Sequence, residues 1–167
     1  MPKIIENVKA MLLNETRREL AEYGYSAVTI RSVAHGVGIA AGTVYNYFGS
    51  KDELIALAVL EDWDEMLADL THLVKTSDKG KVSIVTLSAI RDFVLSHKGV
   101  FDDEGAKKVY SVFFSDKHKL IVKGIAKAVR CAAVSDLGSE IFAEILLSRL
   151  RDADDGFIKY LDLALYN

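Results

Sequence analysis

The residues with the most informative spacing lie between Thr43 and Tyr47, where hydrogen-bonding side chains surround a single valine. The polar members of this segment are Thr43, Tyr45, Asn46 and Tyr47. Their hydroxyl and amide groups are suited to base edges and phosphate oxygens. Two tyrosines flanking Asn46 on a short helix are difficult to bury together. The pattern therefore predicts an exposed binding face, with burial of the tyrosines in a core as the alternative.

Two short helices that cross steeply are predicted to position these side chains. Such a crossing needs a small residue at the contact, a glycine in the turn and apolar residues on the inner faces. The matching residues are Ala34, Gly38, Ile30, Val33, Val37, Ile39 and Val44. Thr29 is the expected N-cap of the first helix, and the second is expected from Ala41 to Phe48. The arrangement indicates a helix-turn-helix, whose second helix lies in the major groove of DNA.

The remainder of the chain also has the periodicity of helices. Apolar residues recur every three or four positions, with no convincing alternating run, so the pattern predicts the all-α class. A first helix is expected from Lys3 to Tyr23, ended by Gly24, and a long one after the capping-box pair Ser50 and Glu53. Further helices are expected at about 81–96, 104–114, 117–133, 138–152 and 155–166. We predict an N-terminal three-helix head, residues 1–49, and a C-terminal helical bundle, residues 50–167.

Composition and charge favour a globular protein with a basic head. Half of the 167 residues are hydrophobic and 27% are charged, as in ordinary folded domains. The net charge is -3, yet residues 1–51 carry six basic and four acidic side chains. This asymmetry is expected where only the head approaches phosphates. A single cysteine, no signal-peptide pattern and no apolar run near the ~20 residues of a membrane span predict a cytoplasmic protein without a membrane segment.

The segment from Gly24 to Leu54 resembles the DNA-binding head of the TetR family of bacterial regulators. The resemblance rests on Gly24-Tyr25, residues 29–34, Gly38-Ile39, residues 42–48 and residues 50–54, with residues 42–54 the most diagnostic. It implies phosphate contacts for Thr29, Arg31, Tyr47 and Lys51. It implies that Thr43, Tyr45 and Asn46 lie nearest the bases, with Gly42 in the same DNA-contacting segment. The sequence departs from the family pattern at Ala40-Ala41, at the polar run 16–19 and at the in-helix Gly36.

The resemblance also assigns roles to the C-terminal bundle. It implies a homodimer on a pseudo-palindromic double-stranded operator, acting as a repressor that responds to an unknown small-molecule effector. Five aromatic residues are candidates for an apolar effector cavity, with ordinary core as the alternative: Trp63, Phe93, Tyr110, Phe113 and Phe114. The resemblance further implies a dimer interface through residues such as Ile141, Ile145 and Leu146.

No pattern points to catalysis, a metal or a cofactor. The four histidines have no paired ligand spacing, and no serine-nucleophile motif is present. Cys131 lies in an apolar stretch and fits a core position, with redox sensing as the alternative. We expect a protein that is not an enzyme. The open alternative to a regulator is a helical ligand-binding or protein-interaction module that has lost DNA binding, which Ala40-Ala41 and the modest head charge favour.

Overall fold

The computed structural model describes residues 7–78, 81–106, 122–128, 130 and 140–145. Its helices are α1 (Val8–Tyr23), α2 (Ile30–Val37), α3 (Ala41–Val44), α4 (Lys51–Thr76), α5 (Val82–Ser96) and α6 (Lys98–Phe101). Residues 104–106, 122–128, 130 and 140–145 are also helical, and these described ranges contain no strand. The all-α prediction is confirmed. The helix expected at 155–166 lies outside the described residues.

The chain divides into two compact units. One comprises Met1–Asp62 and Ser96–Val112, and the other comprises Trp63–Leu95 and Phe113–Asn167. The first unit therefore contains α1, α2, α3, the start of α4 and α6. A domain boundary between residues 49 and 50 stays a prediction.

Local signals set the ends of the first two helices as the sequence predicts. Gly24 takes a φ of 77° and Gly38 a φ of 78°, left-handed conformations that glycine adopts without steric cost. At the start of α2, the Thr29 side chain accepts a hydrogen bond from the Ser32 N–H. The Ser32 side chain accepts one from the Thr29 N–H in return, which completes a capping box.

Three predicted boundaries are wrong. The first helix was predicted to begin at Lys3, but α1 begins at Val8, directly after Asn7, whose φ of 67° is not helical. The second short helix was expected to reach Phe48, but its regular turns end at Val44, and residues 45–47 form a tighter turn. The Tyr47 N–H bonds to the carbonyl of Val44, three residues back, and this tightening brings Phe48 into the core. A break was expected at Lys98-Gly99, yet these residues begin α6 and the turn falls at His97. The buried Val100 gives this short helix an inward face.

The core of the head forms where α1, α2, α3 and the start of α4 meet. Its fully buried side chains include Leu12, Leu13, Val28, Val33, Val44, Phe48, Leu54 and Ile55. Ala34, the small residue expected at the crossing of α2 and α3, is 1% exposed. The predicted inner faces of these two helices are therefore confirmed at Val33, Ala34 and Val44.

Polar side chains of α1 link it to α2. Glu19 is buried, and one of its carboxylate oxygens accepts a 2.6 Å hydrogen bond from the Ser32 hydroxyl. Thr16, also buried, donates its hydroxyl to the Leu12 carbonyl at 2.7 Å. Buried polar groups of this kind are stable only when they are hydrogen-bonded. The polar run that departs from the family pattern thus includes two partnered core residues.

Arg17 links α1 to α4, and its partner Asp62 also contacts the turn before α6. Its Nε donates to Asp62 Oδ1, and its terminal nitrogen lies 3.0 Å from Glu61 Oε2. The other Asp62 oxygen, Oδ2, lies 2.9 Å from His97 Nε2. Asp62 therefore joins three segments of the first unit.

The in-helix Gly36 has a steric reason that predicts coupling with α1. A Cβ added at Gly36 would overlap the carboxylate of Glu15. A Cβ added at Gly42, in contrast, would have no atom within 4 Å. Alanine gains about 1 kcal/mol over glycine in a helix. We therefore expect Gly36→Ala to stabilise the protein more in a Glu15→Ala background than in the wild type, by about 0.5–1.5 kcal/mol. Urea unfolding of the four proteins of this cycle measures the difference, and Gly42→Ala, which should show no coupling, is the control. Equal effects in both backgrounds would contradict this account of Gly36.

Candidate DNA-binding surface

The segment 43–47 forms an exposed polar face anchored by two buried residues. Tyr45 and Tyr47 are 59% and 44% exposed, whereas Val44 and Phe48 are at most 1% exposed. Asn46 is exposed and Thr43 is half-buried. The alternative in which both tyrosines fill the core is therefore wrong. We call the four side chains Thr43, Tyr45, Asn46 and Tyr47 the reading face.

Gly42 directly precedes the reading face in the sequence, and Arg31 lies in α2, the preceding helix. Arg31 is exposed in the first turn of α2, and no hydrogen bond or ion pair of its guanidinium occurs within the described part of the chain. Gly42 is exposed, with open space where a Cβ would stand. The protein itself therefore does not require glycine there, and its lack of a side chain leaves room for an outside partner to approach the backbone.

Thr29 is already engaged in the cap of α2. Its hydroxyl accepts from the Ser32 N–H and donates to the Ser32 Oγ, both at 3.0 Å. A threonine hydroxyl has only one proton to donate. The phosphate contact implied by the resemblance would compete with this hydrogen bond, and it stays a prediction.

Lys51 lies in a cluster that sequence reasoning missed. Its Nζ donates to the Tyr25 carbonyl at 2.7 Å and lies 4.2 Å from the centroid of the Tyr25 ring. The Tyr25 hydroxyl donates to Asp52, and burial together with this carboxylate raises the pKa of Tyr25. Tyr25 belongs to the Gly24-Tyr25 motif, but the motif gave no signal that its carbonyl and ring bind a lysine 26 positions away.

Asp103 joins the same side of the head. It accepts a 2.6 Å hydrogen bond from the Ser26 hydroxyl and two more from the N–H groups of Gly105 and Ala106. The Ser26 hydroxyl and the Ala106 N–H hold the pKa of Asp103 below its ordinary value, with a smaller contribution from the Lys51 ammonium. The loop after α1 is thereby hydrogen-bonded to the segment that follows α6.

The candidate effector residues lie partly outside the described ranges. Trp63 and Phe93, both in the second unit, are each 7% exposed and meet edge to face, with ring centroids 5.1 Å apart. Tyr110, Phe113 and Phe114 lie outside the described residues. The structure brings the first two together in a buried position, and their role in ligand binding stays a prediction.

The candidate dimer residues occupy one exposed helical face where they are described. Ile141 and Ile145, four positions apart, are 51% and 37% exposed, while Phe142 and Ala143 are buried. Leu146 lies outside the described residues. An exposed apolar pair at this spacing is compatible with a helix that packs against another subunit, which stays a prediction.

The described part of the chain has neither a membrane-spanning helix nor a cluster of metal-ligating side chains. In the described ranges, no helix is both long and apolar enough to cross a bilayer. The same residues contain no group of three His, Cys, Asp or Glu side chains that could hold a metal ion.

The fold and the reading face together define a helix-turn-helix head of the DNA-binding class. Residues 12–58 match the family model for bacterial regulatory proteins of the tetR family. The head of this chain is therefore similar to the DNA-binding head of TetR-family regulators.

Relatives match either the head or the whole chain. The transcriptional repressor Rv1474c of Mycobacterium tuberculosis is 35% identical over 72 residues, which are 41% of this chain and 38% of that protein. The regulator BetI of Burkholderia thailandensis is 28% identical over 173 positions, covering 97% of this chain and 83% of that protein. The crystal structure of RolR in complex with resorcinol superposes with a TM-score of 0.57 at 20% identity. It covers 94% of this chain and 84% of that chain, and it shows a shared fold.

The lowered pKa of Asp103 predicts a pH-dependent contribution to stability. A carboxyl whose pKa is depressed on folding stabilises the protein above its unfolded pKa of about 3.9, and this contribution disappears as the pH falls through the folded pKa. We expect Asp103→Asn to lower the melting temperature at pH 7 and to have a smaller effect at pH 3. Asp102→Asn, at an exposed carboxylate that pairs with the exposed Lys98 at 3.8 Å, should change little at either pH. An Asp103→Asn effect of equal size at both pH values would contradict the assigned hydrogen bonds.

Proposed function

We propose that this chain is a transcriptional regulator that binds a pseudo-palindromic double-stranded operator as a homodimer. The observation that carries the proposal is the exposed reading face on a helix-turn-helix whose inner residues, Val44 and Phe48, are buried. Exposing two tyrosines has no benefit for folding, because their rings leave apolar area in water. A partner that presents hydrogen-bonding edges and oxygens accounts for this arrangement.

The chemistry of the reading face fits the major groove. An asparagine amide can pair with the N6 and N7 edge of adenine, and threonine and tyrosine hydroxyls bind base edges or phosphate oxygens. Arg31, exposed on α2, supplies a positive charge for the phosphate backbone. Thr29 and Gly42 would lie along the same DNA, Thr29 only by giving up a cap hydrogen bond. Two heads in a dimer would read half-sites about one helical turn apart.

The same proposal includes the dimeric assembly and the cellular location of the protein. Ile141 and Ile145, with Leu146 beyond them, would pack against a second subunit and remove their apolar area from water. A protein whose ligand is operator DNA acts in the cytoplasm. Its task is binding, and we propose no enzymatic activity, in keeping with the regulatory proteins that its head resembles.

We further propose that a small aromatic molecule releases the repressor from its operator. RolR, which has the same fold, has been crystallised with resorcinol. In this chain the buried Trp63–Phe93 pair of the second unit offers aromatic contact area for such a molecule. Tyr110, Phe113 and Phe114, which lie outside the described residues, stay candidates from the sequence. Such a ligand would bind more tightly to a dimer conformation whose two heads do not match the spacing of the half-sites. It would thereby reduce the fraction of dimers able to bind the operator.

Double substitution of the reading face tests the central proposal. We expect Tyr45→Ala with Asn46→Ala to weaken binding to the DNA directly upstream of the chain's own coding region by about 10- to 100-fold. The measurement is fluorescence anisotropy at two salt concentrations. Tyr23→Ala is the matched control, because Tyr23 is 57% exposed and lies at the end of α1, away from the reading face in sequence. Unchanged affinity in the double variant would rule out these residues as readers.

The wild type in the same experiment separates the two classes of function. Salt-sensitive, sequence-preferring binding is expected of the regulator, since each phosphate contact releases counterions. A folded dimer that binds no DNA at low salt would instead support the interaction module.

The single tryptophan offers a direct test of effector binding. We expect titration with resorcinol and related small phenols to change Trp63 fluorescence and to release operator DNA over the same concentration range. Phe93→Leu should weaken both responses, because it removes the ring that meets Trp63 edge to face. Release of DNA without any change in Trp63 fluorescence would place the effector elsewhere.

A further inference from the structure

The Lys51 ammonium is held by the protein in two ways. It donates a 2.7 Å hydrogen bond to the Tyr25 carbonyl, and it lies over the face of the same residue's ring, 4.2 Å from the centroid. Tyr25 is only 7% exposed, and Lys51 is half-buried. A hydrogen bond from a charged donor and a cation–π contact are both stronger in such a partly desolvated place than at a fully exposed one.

The electrostatic surroundings also favour the inward position. The Lys51 ammonium also makes a small contribution, after those of the Ser26 hydroxyl and the backbone N–H groups, to holding the pKa of Asp103 below its ordinary value. Moving it toward a phosphate would give up the Tyr25 carbonyl, the ring and part of this attraction. Arg31 differs, because its guanidinium is exposed and makes no hydrogen bond or ion pair within the described residues.

The position of Lys51 in the chain connects it to the reading face. Tyr47, the last reading residue, is followed by the buried Phe48 and then by the cap of α4. In that cap the Ser50 hydroxyl accepts from the Glu53 N–H, and the Glu53 carboxylate accepts from the Gly49 N–H. Lys51 is the first residue of α4, so its bond to Tyr25 fixes this turn against the loop after α1. Asp52 adds a second attachment to the same tyrosine through its hydroxyl.

We propose that Lys51 is a positioning residue, which seats the first turn of α4 on Tyr25 and thereby orients the reading face, and that it makes no phosphate contact. This assignment deepens the proposed function and rests on it, since the affinity it controls is that for operator DNA. It revises the role that the family resemblance implies for this lysine.

The salt dependence of operator binding separates a positioning residue from a phosphate contact. The logarithm of the affinity falls as the logarithm of the salt concentration rises, and loss of a phosphate contact makes this fall less steep, by about 1 in the slope for each head. We expect Lys51→Met to weaken operator binding on the order of tenfold, from the loss of the hydrogen bond and the ring contact, with an unchanged slope. Arg31→Met should lower the slope. Lys51→Arg should restore most of the affinity, because a guanidinium can also bond a carbonyl and stack on a ring.

Amide NMR spectra of the DNA-free protein provide a readout independent of operator binding. We expect Lys51→Met to shift the amide resonances of residues 43–48, whereas Arg31→Met should leave those of residues 45–48 in place. A slope lowered by Lys51→Met as much as by Arg31→Met would overturn the proposal, as would unchanged resonances at residues 43–48. If the wild type bound no operator, the proposed function would fail, and the NMR comparison would still decide whether Lys51 orients this segment.

Discussion

The buried carboxylate of Glu19 requires a hydrogen-bond donor, and the arrangement of α1 and α2 depends on the residue that supplies it. A buried charge without a partner is among the costliest features a fold can contain. Here the donor is the Ser32 hydroxyl, which is also half of the capping box that begins α2. The contact therefore fixes where α2 starts, and α3 follows after a single glycine-ended turn. The contact between α1 and the start of α2 therefore helps to determine where the reading face lies.

What the sequence predicted correctly is what short-range physics controls. Gly24 and Gly38 end helices because they take a positive φ, and Thr29 caps α2 because its hydroxyl reaches the N–H three residues on. Each signal involves residues within four positions of one another. The exposure of Tyr45 and Tyr47 was predictable for a similar reason, since Val44 and Phe48 use the inner side of the same short segment.

What the sequence did not predict involves partners far apart in the chain. Lys51 resembles a phosphate-binding residue by motif, yet its carbonyl partner is 26 positions earlier, and backbone carbonyls carry no residue-specific signal. Tyr25, Tyr45 and Tyr47 are the same residue type, but the first is buried and the others are exposed. The length of α3 was overestimated, because the need to bury Phe48 tightens the turn in a way that periodicity does not reveal.

The three-way contact at Asp62 has a thermodynamic consequence for the head. One oxygen of this half-buried carboxylate accepts a hydrogen bond from Arg17 of α1. The other oxygen is hydrogen-bonded to His97, at the turn before α6. Moving that turn would leave one oxygen without its protein partner, and a poorly solvated charged acceptor loses free energy when a donor is removed. The strength with which α1 is held to α4 and the position of the α6 turn are therefore coupled through a single side chain. Because α1 also holds Glu19 against the cap of α2, this coupling extends to the helix that precedes the reading face.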